Sequence, residues 1–256
     1  MFCNCRLVVT GSIYPLFATI NNVSLLFAVC LLLAVPQLAL AQVTFTVCPS
    51  ACDYTSPDTA VNDAARVDGD TIDITTGTYV LGAAMQVVNS ITINGNGSTL
   101  NANGNRALEV TGPSPLVFVN DVIIRNGRDP GESSGGAIVV SGGATLTLSG
   151  STVENSSADG SGGGLSNSDS LVDIFDSAFI SNDAGFAGGA IRTFGASAVT
   201  NLTRVTIDGN QAGNNGGGLA AMGYGTINVF ESTISNNAAL TSSVIIDNFN
   251  AGITFR

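Results

Sequence analysis

The side chains that could carry acid and base chemistry fall into two groups. Asp173 and Asp176 come near Arg204 once the repeats of the chain are stacked, and Arg125, Arg128, Asp129 and Glu132 gather around one long loop, GRDPGESS. Paired carboxylates can supply a general acid and a general base. Histidine and lysine chemistry is excluded, because the chain has neither residue and all eight of its basic residues are Arg. An imidazole metal site is excluded with them, and the pair Cys48 and Cys52 expected in the mature chain supplies too few thiolates for a metal site. Tryptophan, a common platform for stacking sugars, is also absent.

What positions these groups is a repeat. Gly135-Gly136-Ala137-Ile138, Gly162-Gly163-Gly164-Leu165, Gly188-Gly189-Ala190-Ile191 and Gly216-Gly217-Gly218-Leu219 begin 27, 26 and 28 residues apart. A second marker moves in phase: Ser156, Asn182, Asn210 and Asn237 each follow, three residues on, an apolar residue (Val153, Phe179, Ile207, Ile234). Each unit holds three short alternating runs, such as Ala190–Thr193, Val199–Leu202 and Val205–Ile207. Three strands and three turns per unit predict one rung of a parallel β-helix, with rungs ~4.8 Å apart.

Stacking the units gives columns. Leu148, Ile174, Leu202 and Val229 form one apolar column, Val153, Phe179, Ile207 and Ile234 another, while Thr147, Asp173, Asn201 and Asn228 are polar throughout. Such alternation is what an interior and an outer face require when rungs keep register. The glycines are expected at turns of positive φ, where Asn is the next most tolerant residue, and Asn182, Asn210 and Asn237 are expected to stack and hydrogen-bond along the axis. In the same frame Asp176, Arg204 and Glu231 share a column in which opposite charges should pair. Arg128, Asp129 and Glu132 read as solvated charges of a Gly/Pro/Ser-rich loop.

Ahead of the repeat, Ser24–Ala41 is an apolar run ending in Ala39-Leu40-Ala41, a small-x-small pattern that predicts a signal peptide over 1–41 and a mature chain from Gln42. Pro36 and Gln37 leave it too short to span a membrane, so no transmembrane segment is expected in the mature chain. Cleavage removes Cys3, Cys5 and Cys30 and leaves Cys48 and Cys52 to pair in an oxidising compartment. Residues 42–69 are then a disulfide loop and a capping helix over 57–67: Ser56 as N-cap, Pro57 in the first turn, Ala60, Val61, Ala64 and Ala65 as the apolar stripe, and Gly69 as terminator. Residues 70–256 are the β-helix, read as incomplete at the C-terminus because ITFR stops within a strand.

The GGAI and FxxN units resemble the repeats of polymorphic outer membrane proteins, and VCPSACDYTSPDTAVNDAARVDGDTIDITTGTYV is similar to the opening of secreted proteins of the pectate-lyase-like superfamily. The resemblance implies an all-β, right-handed parallel β-helix, exported and often displayed at the cell surface as an adhesin-like passenger. The chain departs from the outer membrane group in having no barrel-like strands after its repeats. Polysaccharide lyases on this fold use calcium with an arginine or lysine base, and its glycoside hydrolases use clustered aspartates. Asp173, Asp176 and Arg204 are therefore the catalytic candidates if the protein is a polysaccharide-degrading enzyme, and calcium is implied only in that case.

From Gln42 onward 19 acids face 7 arginines, which excludes a phosphate-binding groove and hence nucleic acid as partner. No cofactor or metal is expected. The reading favoured is a secreted or surface-displayed, outer-membrane-associated solenoid with a structural or adhesive role, whose partner is an extracellular glycan or a host or cell-surface protein. An extracellular lyase or glycoside hydrolase is the runner-up.

Overall fold

The computed structural model describes residues 41–129, 131, 134–241, 245–248 and 252–256. The expected signal segment as far as residue 40 and Glu132 lie outside the described residues.

Period-2 alternation does build a solenoid here. Strands of successive rungs pair in parallel and in register, so that Leu148, Ile174, Leu202 and Val229 are direct partners, as are Val153, Phe179, Ile207 and Ile234. The result is an all-β parallel β-helix of about 7 turns, its strands joined into sheets of 14, 7 and 5. The 14-stranded sheet covers two faces, because the long strand Leu116–Arg125 pairs at one end with Thr145–Ser149 and at the other with Thr152–Glu154. The core is the tube interior, where Leu148, Ile174, Phe179, Leu202 and Ile207 are wholly buried.

Each full rung carries one strand more than the pattern predicts. In the rung of the third glycine box, Ile191–Phe194, Val199–Thr203 and Thr206–Asp208 are followed by the two-residue strand Gln211–Ala212. Gln211 is exposed and Ala212 buried. Two residues are too few to register as an alternating run in the sequence.

The glycine box does two jobs. Its first glycine holds a positive φ, from +85° at Gly135 and +72° at Gly162 to +66° at Gly188 and +58° at Gly216. Its second lets rungs touch backbone to backbone: a Cβ on Gly189 would lie 2.2 Å from the carbonyl oxygens of both Gln211 and Gly217, and Gly136, Gly163 and Gly217 are as tightly hemmed. The Asn marker differs from expectation, since positive φ falls on the residue before it, at Asn155, Ser181, Gly209 and Asn236. Asn182, Asn210 and Asn237 themselves turn inward and are buried.

The amino-terminal layer is also part of the solenoid. Thr44–Val47 pairs in parallel with Thr71–Ile74, so the coil begins before residue 70. Cys48 and Cys52 are joined by a disulfide directly after that strand, with Cα atoms 5.6 Å apart. The helix is Pro57–Val61, shorter than 57–67. Pro57 does open it, but the Ser56 hydroxyl donates to Asp58 Oδ1 instead of capping the backbone.

The helix stops at Asn62 because that side chain is used elsewhere, accepting from the Gln86 N–H at 2.7 Å and donating to the Ala84 carbonyl at 2.8 Å. Ala64 and Ala65 are consequently exposed, whereas Ala60 and Val61 are buried. Asp58 Oδ2 accepts the N–H groups of Gly82 and Ala83 and ties this cap to the rung beside it. Among the described residues no helix is long and apolar enough to cross a membrane.

Candidate functional site

Asp173 lies on the outer face of Leu171–Phe175, where period 2 puts it between Thr147 and Asn201. Its carboxylate accepts the Asn201 side-chain amide at 2.7 Å, and Asn228 donates to Asn201 at 2.8 Å. Asp176 and Arg204 stand at the bend between the two faces of the long sheet, each at a positive φ near 50°. Arg204 grips Asp176 with both arms, Nε to Oδ1 at 2.6 Å and Nη2 to Oδ2 at 2.8 Å, and about half of each side chain is exposed. The guanidinium holds the Asp176 carboxyl below the usual carboxylate range, and the carboxylate raises Arg204 in return. Glu231 occupies the next bend but forms no ion pair with Arg204 among the described residues. The ladder of three charges is thus one bidentate pair with a third member standing apart.

The second group divides differently. Arg128 is paired with Asp159 at 3.7 Å on the exposed surface. Arg125 ends the strand Leu116–Arg125, its Nε buried without a partner. Asp129 is not a solvated loop charge. It is the second residue of the short strand Arg128–Asp129, points inward, and is only 2% exposed. Its column continues through Ala158, Ala184, Ala212 and Ala239. A carboxylate therefore stands where every later rung has a methyl group, and burying it demands a cation.

That cation is Arg106, from the turn before Leu108–Thr111. Its Nη2 lies 2.9 Å from Asp129 Oδ1 and its Nη1 2.9 Å from Glu109 Oε1. Nε donates to the Gly135 carbonyl at 3.1 Å, and Nη2 also reaches the Ser134 carbonyl at 3.3 Å. Arg106, Glu109 and Asp129 line a cavity of about 490 Å³ walled on another side by Gly82, Ala83 and Ala84. Asp129 Oδ2 is buried with no hydrogen-bond partner. The signal available in the sequence was the alanine column itself, which Asp129 interrupts. Arg106 and Glu109 belong to rungs too irregular to stack by their glycines, and the repeat does not reach them.

A third feature lies on the outside of the seven-stranded sheet. Arg192 rests its guanidinium on the Phe194 ring, 4.4 Å from the centroid, with Nη1 donating to Ser166 at 3.0 Å. Burial lowers its pKa. Four of the described arginines (Arg66, Arg106, Arg128, Arg204) face a carboxylate, whereas Arg192 makes no ion pair among the described residues.

No family model, no curated protein and no solved structure matches this chain.

Proposed function

We propose that this protein is an exported, surface-displayed or secreted solenoid whose outer face binds an extracellular partner through repetition. The observation that carries this reading is the outward column Thr147, Asp173, Asn201 and Asn228, held in register rung by rung, its last three members joined by side-chain hydrogen bonds. Groups repeated at the ~4.8 Å strand spacing offer a glycan chain or a protein surface many weak, equivalent contacts that add through multivalency. The Cys48–Cys52 disulfide supports an oxidising destination.

The same geometry weighs against the polysaccharide-degrading alternative at this face. Asp173 is already engaged by Asn201 and Asp176 by Arg204, so neither presents a free carboxylate opposite a second one. The test is a glycan array and cell-surface binding assay on the disulfide-bonded protein, run beside an assay for unsaturated or reducing-end products from acidic polysaccharides with and without calcium. Binding that weakens progressively with Asn201→Ala, Asn228→Ala and their combination, without product release, is the expected result. Product release lost in Asp173→Ala overturns it.

A further inference from the structure

We propose that the cavity formed by Arg106, Glu109 and Asp129 is a binding site for a small organic molecule carrying one primary ammonium group. The first argument is placement. Four rungs put Ala158, Ala184, Ala212 and Ala239 in the column where Asp129 stands, so the fold itself has no need of a carboxylate there. Asp129 and its counter-ion Arg106 add nothing that the alanines of the later rungs do not supply more cheaply.

The second argument is the hydrogen-bond tally. Arg106 satisfies Asp129 Oδ1, Glu109 Oε1 and the carbonyls of Gly135 and Ser134, while Asp129 Oδ2 has no partner and Glu109 Oε2 makes no hydrogen bond among the described residues. Two carboxylate oxygens at the cavity are therefore left without a donor. The third is charge: two carboxylates against one guanidinium leave one negative charge at a wall otherwise made of the uncharged residues Gly82, Ala83, Ala84, Asn105 and Gly131. A ligand that complements this site brings one positive charge and several N–H donors on a small carbon frame.

A primary ammonium does so. A calcium ion wants six to eight oxygens, and no group of three or more carboxylate, thiol or imidazole side chains gathers among the described residues. A quaternary ammonium wants an aromatic cage, and no aromatic residue lines the cavity. The volume of about 490 Å³ admits a molecule of sugar size. This inference stands apart from the outer-face reading, since the cavity shares no residue with the Thr147–Asn228 column.

The test is a titration followed by amide chemical shifts, with methylammonium and glucosamine as probes, glucose and N-acetylglucosamine as uncharged controls, and calcium chloride as a separate arm. Glucosamine should bind at least about tenfold more tightly than either neutral sugar, the worth of one charge-assisted hydrogen bond, and shift amides around Gly82–Ala84 and Asn105–Glu109. Asp129→Asn should abolish the preference for the amine. Because Asp129 is buried, Glu109→Gln and the cavity-filling Ala84→Leu carry the test if that variant fails to fold: the first should weaken the preference and the second should block both probes. Equal binding of charged and neutral sugars, binding of neither amine, or occupation by calcium alone overturns the proposal, whatever the outer face is found to bind.

Discussion

Asn210 hands its side-chain amide to Asn237 Oδ1 at 2.8 Å while the same oxygen accepts the backbone N–H of Asn210 at 2.9 Å. Asn182 treats Asn210 in the same way, at 3.0 and 2.9 Å. Each amide also reaches back one rung, Asn210 Nδ2 to the Phe179 carbonyl at 2.9 Å and Asn237 Nδ2 to the Ile207 carbonyl at 2.8 Å. One buried side chain thus satisfies backbone groups on both sides of its own turn, and the ladder closes the polar accounts of a corner that water does not reach.

Removing a middle member should therefore cost more than one hydrogen bond. Asn210→Ala strands the Asn182 N–H and the Phe179 carbonyl, at about 1–3 kcal/mol for each buried group left without a partner, while Asn237 Oδ1 keeps the backbone N–H of residue 210. Asn210→Asp should be worse, because a carboxylate oxygen then faces the Phe179 carbonyl and Asn237 Oδ1. Asn210→Ser should be mildest, since Ser156 already fills this place two rungs earlier and accepts the Gly127 N–H at 3.0 Å. Urea denaturation of the three variants checks the order Ser, Ala, Asp from most to least stable. Equal midpoints would mean that the ladder does not hold the corner.

A glycine inside a box and one outside it should respond differently to alanine. Gly189→Ala sets a methyl group 2.2 Å from two backbone oxygens on the next rung, and neither can move without breaking the stack. Gly143 has a φ of +85° but nothing within 4 Å of its would-be Cβ, so Gly143→Ala pays only for the left-handed backbone, about 1–2 kcal/mol. Gly189→Ala should be the more destabilising by melting temperature and the less soluble on expression. The reverse order would mean that the rungs can separate locally.

How far the sequence reveals this molecule depends on whether a residue's role repeats. Leu148, Ile174, Leu202 and Val229 could be stacked in advance because boxes 26 to 28 residues apart fix the register. The short strands such as Gln211–Ala212 were hidden by their length. The helix end at Asn62 was hidden because it is set by Ala84 and Gln86, more than 20 residues on. The cavity lay in the irregular rungs, and the burial of Asp129 depends on Arg106, a partner that no local pattern names. Asp173, Asp176 and Arg204 are legible because they stand in repeated columns, where the neighbouring rung engages each of them.

The bend pair should behave as an isolated, exposed ion pair. Arg204 engages Asp176 with both arms, whereas Glu231 is a minor influence on it. Arg204→Ala and Asp176→Ala should each lower the melting temperature slightly, the double variant no further than either alone, and Glu231→Ala should leave it unchanged. Added salt should shrink the first two effects. An effect of Glu231→Ala equal to that of Asp176→Ala would restore a three-membered charge ladder.

Acid should unfold the protein through a defined set of carboxylates. Asp53 is held below the usual range by the Thr46 backbone N–H, Asp63 by the Tyr54 hydroxyl, Asp176 by Arg204, and Asp208 by the Ser235 hydroxyl. Each folded-state pKa lies below its unfolded value near 3.8, so the stability these groups bring is complete above that value and is lost as pH falls through the folded one. Melting temperature should stay flat from neutrality to about pH 5 and then fall, with a shallower acid limb in Asp63→Asn and Asp208→Asn. A decline that begins near pH 7 would point to other groups.

Asn167, Thr193 and Thr200 form a polar island inside the tube, and its energetics should be strongly non-additive. Asn167, Thr193 and Thr200 point into the tube, all wholly buried, where Val140, Val172 and Ile227 flank them on neighbouring rungs. Thr193 and Thr200 share a hydrogen bond of 2.7 Å, and Asn167 Nδ2 donates to Thr200 at 3.1 Å and to the carbonyls of Ser170 and Val199. Asn167 Oδ1 has no partner. Thr200→Val alone strands the Thr193 hydroxyl and should cost about 1–3 kcal/mol. Replacing all three by valine removes every orphaned side-chain group at once, and the Ser170 carbonyl keeps the Val199 N–H at 2.9 Å. The triple variant should then be at least as stable as the parent in urea, since buried polar groups replaced together by apolar ones of similar shape lose little. A triple variant destabilised by the sum of its single changes would show that the island contributes stability of its own.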